Sequence, residues 1–259
     1  MIAEQIQISD PSRSDPRVSR RELLLSTAIT LIFSTTTASA LVLQGSLPWS
    51  PNAGSPPTPV RPGPWVYFTA DEGAAVEALV DRLIPSDPQT PGGKDAGCAV
   101  FIDHQLAGPY GKAEGLYMRG PFVDGTRQQG DQSPLTPATR YRQALAALDK
   151  HCRSTYGGKS FAQLPDDEKD KLLSGLDKGE VRLEGANGRA FFELLLQNTQ
   201  EGFFADPVYG GNRNMVAWKM IGYPGARYDY RDWVERHNEP YPLPPLSIGG
   251  RAEWLRKTD

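Results

Sequence analysis

Asn198-Thr-Gln-Glu-Gly-Phe-Phe-Ala-Asp-Pro-Val-Tyr-Gly-Gly-Asn-Arg-Asn-Met-Val-Ala-Trp-Lys-Met-Ile-Gly-Tyr-Pro-Gly225 is the stretch on which the fold turns. It opens on a helix that reads back to about Ala190. Phe191, Leu194, Leu195 and Asn198 fall on one face of that helix, and Phe192, Leu196, Thr199 and Phe203 on a second. Two apolar faces predict a helix covered on both sides. Asp206-Pro207 stops it, because proline has no N–H and pushes the residue before it out of the α region. Gly210-Gly211-Asn212 then predicts a turn that accepts positive φ. Trp218, Ile221 and Tyr223 follow, closed by Pro224-Gly225. None of these residues forms a nucleophile, a metal cage or a phosphate cradle.

Upstream, the same reading finds more helices. Thr69-Ala-Asp-Glu72 is a capping box that opens a helix to about Ile84, with Ala75, Leu79, Val80 and Leu83 as its apolar stripe. A second helix spans about 95–106, with Cys98, Phe101, Ile102 and Leu106 on one side. Thr136 caps a third, with Pro137 at its first position and Tyr141, Leu145, Leu148 and Cys152 inward. A short helix from about Pro165 to Leu176 precedes the Phe191 helix. Residues 108–135 are Gly- and Pro-rich with scattered Tyr110, Tyr117 and Phe122, and they show no periodicity. A loop that long in a compact domain is usually functional or laid over a partner. No stretch alternates like a strand. The fold class is all-α: a small helical domain with long irregular loops and extended Pro-rich N- and C-terminal arms.

The 259 residues divide into a signal region at 1–40, a Pro-rich linker at 41–66, the helical domain at 67–235 and an extended tail at 236–259. A chain this long can bury one real core. A net charge of −3 is near balance and argues against nucleic acid as a partner. The 26 glycines and 23 prolines concentrate in loops and at both ends. The tail carries Tyr241, Leu243, Leu246 and Trp254, which suits docking; a loose C-terminus is the alternative.

The N-terminus reads as an address. Arg20-Arg21 stand before an uncharged run from Leu23 to Leu43, as in signals that export folded proteins. Leu23 stands where phenylalanine is more usual, and Leu25 where lysine often occurs. Ala38-Ser39-Ala40 is a small-residue cleavage site, which leaves Leu41 as the mature start. An uncleaved anchor is the alternative, since the run could just cross a bilayer. The destination is the oxidising periplasm, where Cys98 and Cys152 are disulfide candidates, with each other or with a partner's cysteine. Pairing them closes a loop of about 54 residues and contributes roughly 4 kcal/mol in the chain-entropy model. Two buried thiols are the plainer reading.

Several chemistries lack their sequence signature. There is no G-x-G-x-x-G for a dinucleotide and no C-x-x-C-H for attached haem. Two cysteines are too few for an iron–sulfur cluster held within the chain. His104, His151 and His237 show no metal-ligand spacing. Asp103-His104 are neighbours in sequence, but adjacent helical residues point different ways. No catalytic, cofactor or metal residue is expected in this chain.

Asp206-Pro-Val-Tyr-Gly-Gly-Asn212 with Gly222-Tyr-Pro-Gly225 strongly resembles the gluconate 2-dehydrogenase subunit 3 family. Arg82-Leu-Ile-Pro-Ser-Asp87, Phe101-Ile-Asp-His-Gln-Leu106, Leu135-Thr-Pro-Ala-Thr-Arg-Tyr-Arg142, Ala190-Phe-Phe-Glu-Leu-Leu-Leu-Gln-Asn198 and Tyr241-Pro-Leu-Pro-Pro245 extend the resemblance along the chain. It implies a small, non-flavin subunit of a bacterial membrane-bound sugar or sugar-acid dehydrogenase. FAD would then sit in a large catalytic subunit and haem c in a multi-haem cytochrome subunit, which gives the complex its membrane association. By resemblance the substrate is gluconate, oxidised to 2-ketogluconate; related fructose, glucose, sorbitol and 2-ketogluconate dehydrogenases have similar small subunits. An export signal for folded cargo on a chain without a cofactor motif points to an escort that crosses with a loaded partner. Tyr209, Gly210, Gly211, Asn212, Trp218, Tyr223, Tyr228 and Trp233 are the candidate interface. An envelope scaffold without a redox partner, or a stand-alone periplasmic enzyme, would be the other classes.

Overall fold

A computed structural model describes residues 58–123, 125–129, 132–227 and 230–250. All extended regular structure among them is helical. The helices are α1 (Ala70–Leu83), α2 (Cys98–Ala107), α3 (Pro137–Thr155), α4 (Asp166–Asp177), α5 (Gly188–Phe204) and α6 (Val216–Ile221).

Local chemistry fixes most of the boundaries. Thr69 Oγ1 accepts the Glu72 N–H while the Glu72 carboxylate accepts the Thr69 N–H, so α1 starts on a complete capping box. Thr136 caps α3 by accepting the Thr139 N–H, with Pro137 at the first position. Asn187 caps α5 by accepting the Ala190 N–H. α2 begins at Cys98, later than expected, because Gly97 takes φ +81 and breaks the helical path before it.

α5 is the axis of the molecule and packs against all the other helices. Its buried residues form one broad stripe: Gly188, Phe191, Leu195, Asn198, Thr199, Gly202 and Phe203. The expectation of two covered faces is corrected: Phe192, Leu194 and Leu196 are only half buried, so neighbours wrap one side and its flanks. Gly202 is part of this packing, since a Cβ there would stand 2.9 Å from the Phe101 ring of α2. Tyr141 is fully buried beside α5, edge-on to Phe191 at 5.5 Å between ring centres. Its hydroxyl donates to Asn198 Oδ1 at 3.0 Å, and Asn198 Nδ2 donates to the Tyr110 hydroxyl at 3.0 Å. Burial raises the Tyr141 hydroxyl well above the usual phenol range.

Both described arms are held against this body. Asp103, on α2 and 1% exposed, accepts three backbone N–H groups: Val66 to Oδ2 at 2.7 Å, and Tyr67 and Phe68 to Oδ1 at 2.9 and 2.8 Å. Arg142 of α3 donates to the Tyr67 carbonyl at 2.8 Å, pairs with Glu72 and lies 4.3 Å from the Tyr67 ring centre. Trp65 rests on Gly73 of α1, where a Cβ would run into the indole. At the other end, the Leu246 N–H donates to the Pro224 carbonyl at 3.2 Å and the Ala226 N–H to the Leu246 carbonyl at 2.6 Å. Leu246 is buried. The tail therefore docks through residues 244–248 on its own chain, which settles the choice between docking and a loose end for the described part; Trp254 lies outside the described residues.

Candidate partner-binding surface

The turn after α5 is a hub for both arms. Asp206 accepts the Val208 N–H at 3.0 Å, which caps the short 3-10 turn Pro207–Tyr209. The same carboxylate accepts the Ser247 hydroxyl at 2.6 Å and the Ile248 N–H at 2.7 Å. The Val208 carbonyl accepts the Val60 N–H at 2.8 Å. One short segment thus fastens the chain before α1 and the chain after α6.

Four of the candidate interface residues are internal. Gly210 turns at φ +98, and a Cβ there would meet the Val60 and Val100 side chains. Gly211 lies against the α5 backbone, where a Cβ would collide with the Gly202 carbonyl. Asn212 is fully buried at φ +43. Its Nδ2 donates to the Ala205 carbonyl at 2.9 Å and its Oδ1 accepts the Ala217 N–H at 2.9 Å. It therefore satisfies the end of α5 and the start of α6 with one side chain. Trp218, 6% exposed, donates from Nε1 to the Phe204 carbonyl at 2.9 Å. Reading these four as partner contacts is corrected: their burial closes the α5–α6 corner within the chain.

The remaining candidates differ. Tyr209 and Tyr223 are exposed by 41% and 45%. Trp233 is half buried against Tyr241 at 5.1 Å, with the Arg236 guanidinium 4.6 Å from its ring centre. Tyr228, Arg20, Arg21 and Ala40 lie outside the described residues.

Exposed apolar side chains that the reading of aromatic anchors passed over occur in the same parts of the chain. Met220, Ile221 and Leu243 are 48%, 57% and 48% exposed. An open groove of about 400 Å³ runs between the end of α6, where Trp218, Lys219, Gly222, Tyr223 and Pro224 line it, and the arch Tyr241–Pro245. Two adjacent apolar residues at the end of a six-residue helix were the available signal. The 108–135 loop exposes Leu116, Tyr117, Phe122 and Val123 in the same manner. A separate cavity of about 280 Å³ between α1, α3 and the turn Phe161–Gln163 is rimmed by groups already bonded to each other, Arg153 to Asp149 and Gln163 to Ser160.

Cys98 and Cys152 are both free and buried and do not pair with each other. Each sits in an apolar helix face, and burial pushes the thiols up to about 12 and about 11 respectively. Asp103 is a structural ligand for main-chain N–H groups. Among the described residues no group of three or more His, Cys, Asp and Glu is placed to hold a metal ion, and no helix is long and apolar enough to cross a membrane.

Comparison with family models matches the gluconate 2-dehydrogenase subunit 3 model over residues 70–225, from the first residue of α1 to the glycine that receives the C-terminal arm. Neither the curated proteins nor the solved structures gave a match. The match spans all six helices and the hub turn, well over half of the chain, and so this chain belongs to the gluconate 2-dehydrogenase subunit 3 family.

Proposed function

We propose that this chain is the non-catalytic small subunit of a periplasmic, membrane-associated, flavin-dependent sugar-acid dehydrogenase, with gluconate as substrate and 2-ketogluconate as product. It accompanies the FAD-bearing large subunit through folded-protein export and stabilises it, and electrons pass on to a multi-haem cytochrome c subunit. The observation that carries the reading is the family match over residues 70–225. It is supported by exposed aromatic and aliphatic side chains around α6, a kind of surface that marks interaction sites. The paired Arg20 and Arg21 ahead of an uncharged run support the export step.

The test is co-expression of the flavoprotein subunit with and without this chain, followed by assay of dye-linked gluconate oxidation in the periplasm. Activity should appear there only when the chain is present. Equal periplasmic activity in both strains refutes the escort role.

A further inference from the structure

α6 leaves its outer side uncovered. Met220 and Ile221 are exposed on it, and the groove beside it is lined by exposed Tyr223, just beyond the helix, and by exposed Leu243 on the facing arch. Lys219 lines the groove, and no acidic residue does. Among the described residues no carboxylate pairs with Lys219. The groove is therefore apolar and aromatic, with the Lys219 ammonium on the helix side and, on the arch, the Arg227 guanidinium bonded to the Pro244 carbonyl and 5.3 Å from the Tyr241 ring centre.

The opposite wall restricts how a partner can bind. Tyr241-Pro-Leu-Pro-Pro245 has main-chain N–H groups only at Tyr241 and Leu243, because proline has none. A strand added along this wall would give donors and receive few, so backbone pairing is disfavoured. The occupant must be recognised through side chains: aromatic faces, aliphatic groups and the Lys219 ammonium. Interfaces of this type concentrate their affinity in a few apolar anchors, while a rim charge fixes register and partner choice.

We propose that this groove seats an apolar segment of the flavin-bearing subunit carrying an Asp or Glu that pairs with Lys219. The assignment rests on reading the chain as that subunit's small partner. A carboxylate answers the positive charge of the groove, and the apolar contacts are offered by Tyr223, Leu243 and the prolines of the arch. The exposed 116–123 segment has nothing beside it that identifies its occupant.

The experiment uses the purified complex of the full chain with its flavoprotein subunit. Carbodiimide coupling, which joins an ammonium directly to a carboxylate, should link Lys219 to an Asp or Glu of the flavoprotein, read by mass spectrometry. The double variant Tyr223→Ser/Leu243→Asp should weaken the complex about a hundredfold and Lys219→Glu about tenfold, with thermal unfolding little changed because these side chains are exposed. A complex that forms but gives no Lys219 link to the flavoprotein overturns the assignment, as does undiminished affinity of the double variant. Linkage of Lys219 to a second copy of this chain overturns it in favour of self-association. If the wild-type chain does not bind the flavoprotein at all, the reading beneath the assignment fails, and the assignment with it.

Discussion

Asp103 gathers three consecutive main-chain N–H groups of the arm before α1 onto one carboxylate that water barely reaches. Its two oxygens share the three donors, Oδ2 taking Val66 and Oδ1 taking Tyr67 and Phe68. An amide keeps the shape but can accept through only one atom. Asp103→Asn should therefore orphan at least the part-buried Val66 N–H and lower stability by about 1–3 kcal/mol; urea unfolding measures it, and an unchanged midpoint would disprove the clasp. The two thiols give a second residue-level expectation. Neutral and enclosed, Cys98 and Cys152 should resist a thiol reagent at pH 8 in the folded chain. Both should react at once in denaturant without reductant. Finding no reactive thiol in denaturant would restore the disulfide.

At the scale of elements, the α5–α6 corner depends on Asn212. Asn212→Ala removes the bonds to the Ala205 carbonyl and the Ala217 N–H and leaves a β-carbon residue at φ +43, at a cost of about 3 kcal/mol in thermal or urea unfolding. Asn212→Gly loses the same bonds but relieves the backbone, so it should cost less; the reverse order would show that conformation is not limiting. α1 and α4 are joined differently, by Arg82 reaching Asp170 through two bonds of 2.7 Å and Asp166 at 3.2 Å. The Arg82 hydrogen bond, aided by its charge, holds the Asp170 carboxyl below the usual carboxylate value. A folded-state pKa below the unfolded one stabilises above the unfolded value and loses that contribution as pH falls through the folded value. The pair is exposed, so Arg82→Ala should cost no more than about 1 kcal/mol at pH 7. That difference from wild type should vanish near pH 2. A difference that persisted there would assign the effect to packing of the Arg82 stem.

For the whole molecule, the arms make the small helical body into a platform. Residues 58–68 and 244–248 are drawn toward the same body by Asp103 and by the hub at Asp206, which leaves the groove beside α6 as an edge shared by helix and arm. If the chain is an escort, changing Arg20→Lys together with Arg21→Lys should trap the dehydrogenase activity inside the cell. Fractionation measures this, and unchanged periplasmic activity would remove the export reading.

The residue order alone determined five of the six helices and the capped starts of α1 and α3, but neither the later start of α2 at Cys98 nor the short helix α6. Capping pairs such as Thr69 with Glu72, proline at a first position and an i, i+4 apolar rhythm act over single turns, so a linear reading captures them. The family was equally legible, because Asp206 to Asn212 and Gly222 to Gly225 are local wording that the family match includes. Sequence could not tell which face of α5 would be covered, that Asp103 would enter the core, or that Gly210, Gly211, Asn212 and Trp218 would turn inward while Met220 and Ile221 turned outward. Those outcomes depend on contacts between residues far apart in the chain, Val66 with Asp103 and Ile248 with Asp206 among them. Burial of a polar or aromatic side chain is decided by whether the assembled body supplies it a hydrogen-bond partner, and only the tertiary structure brings those partners together.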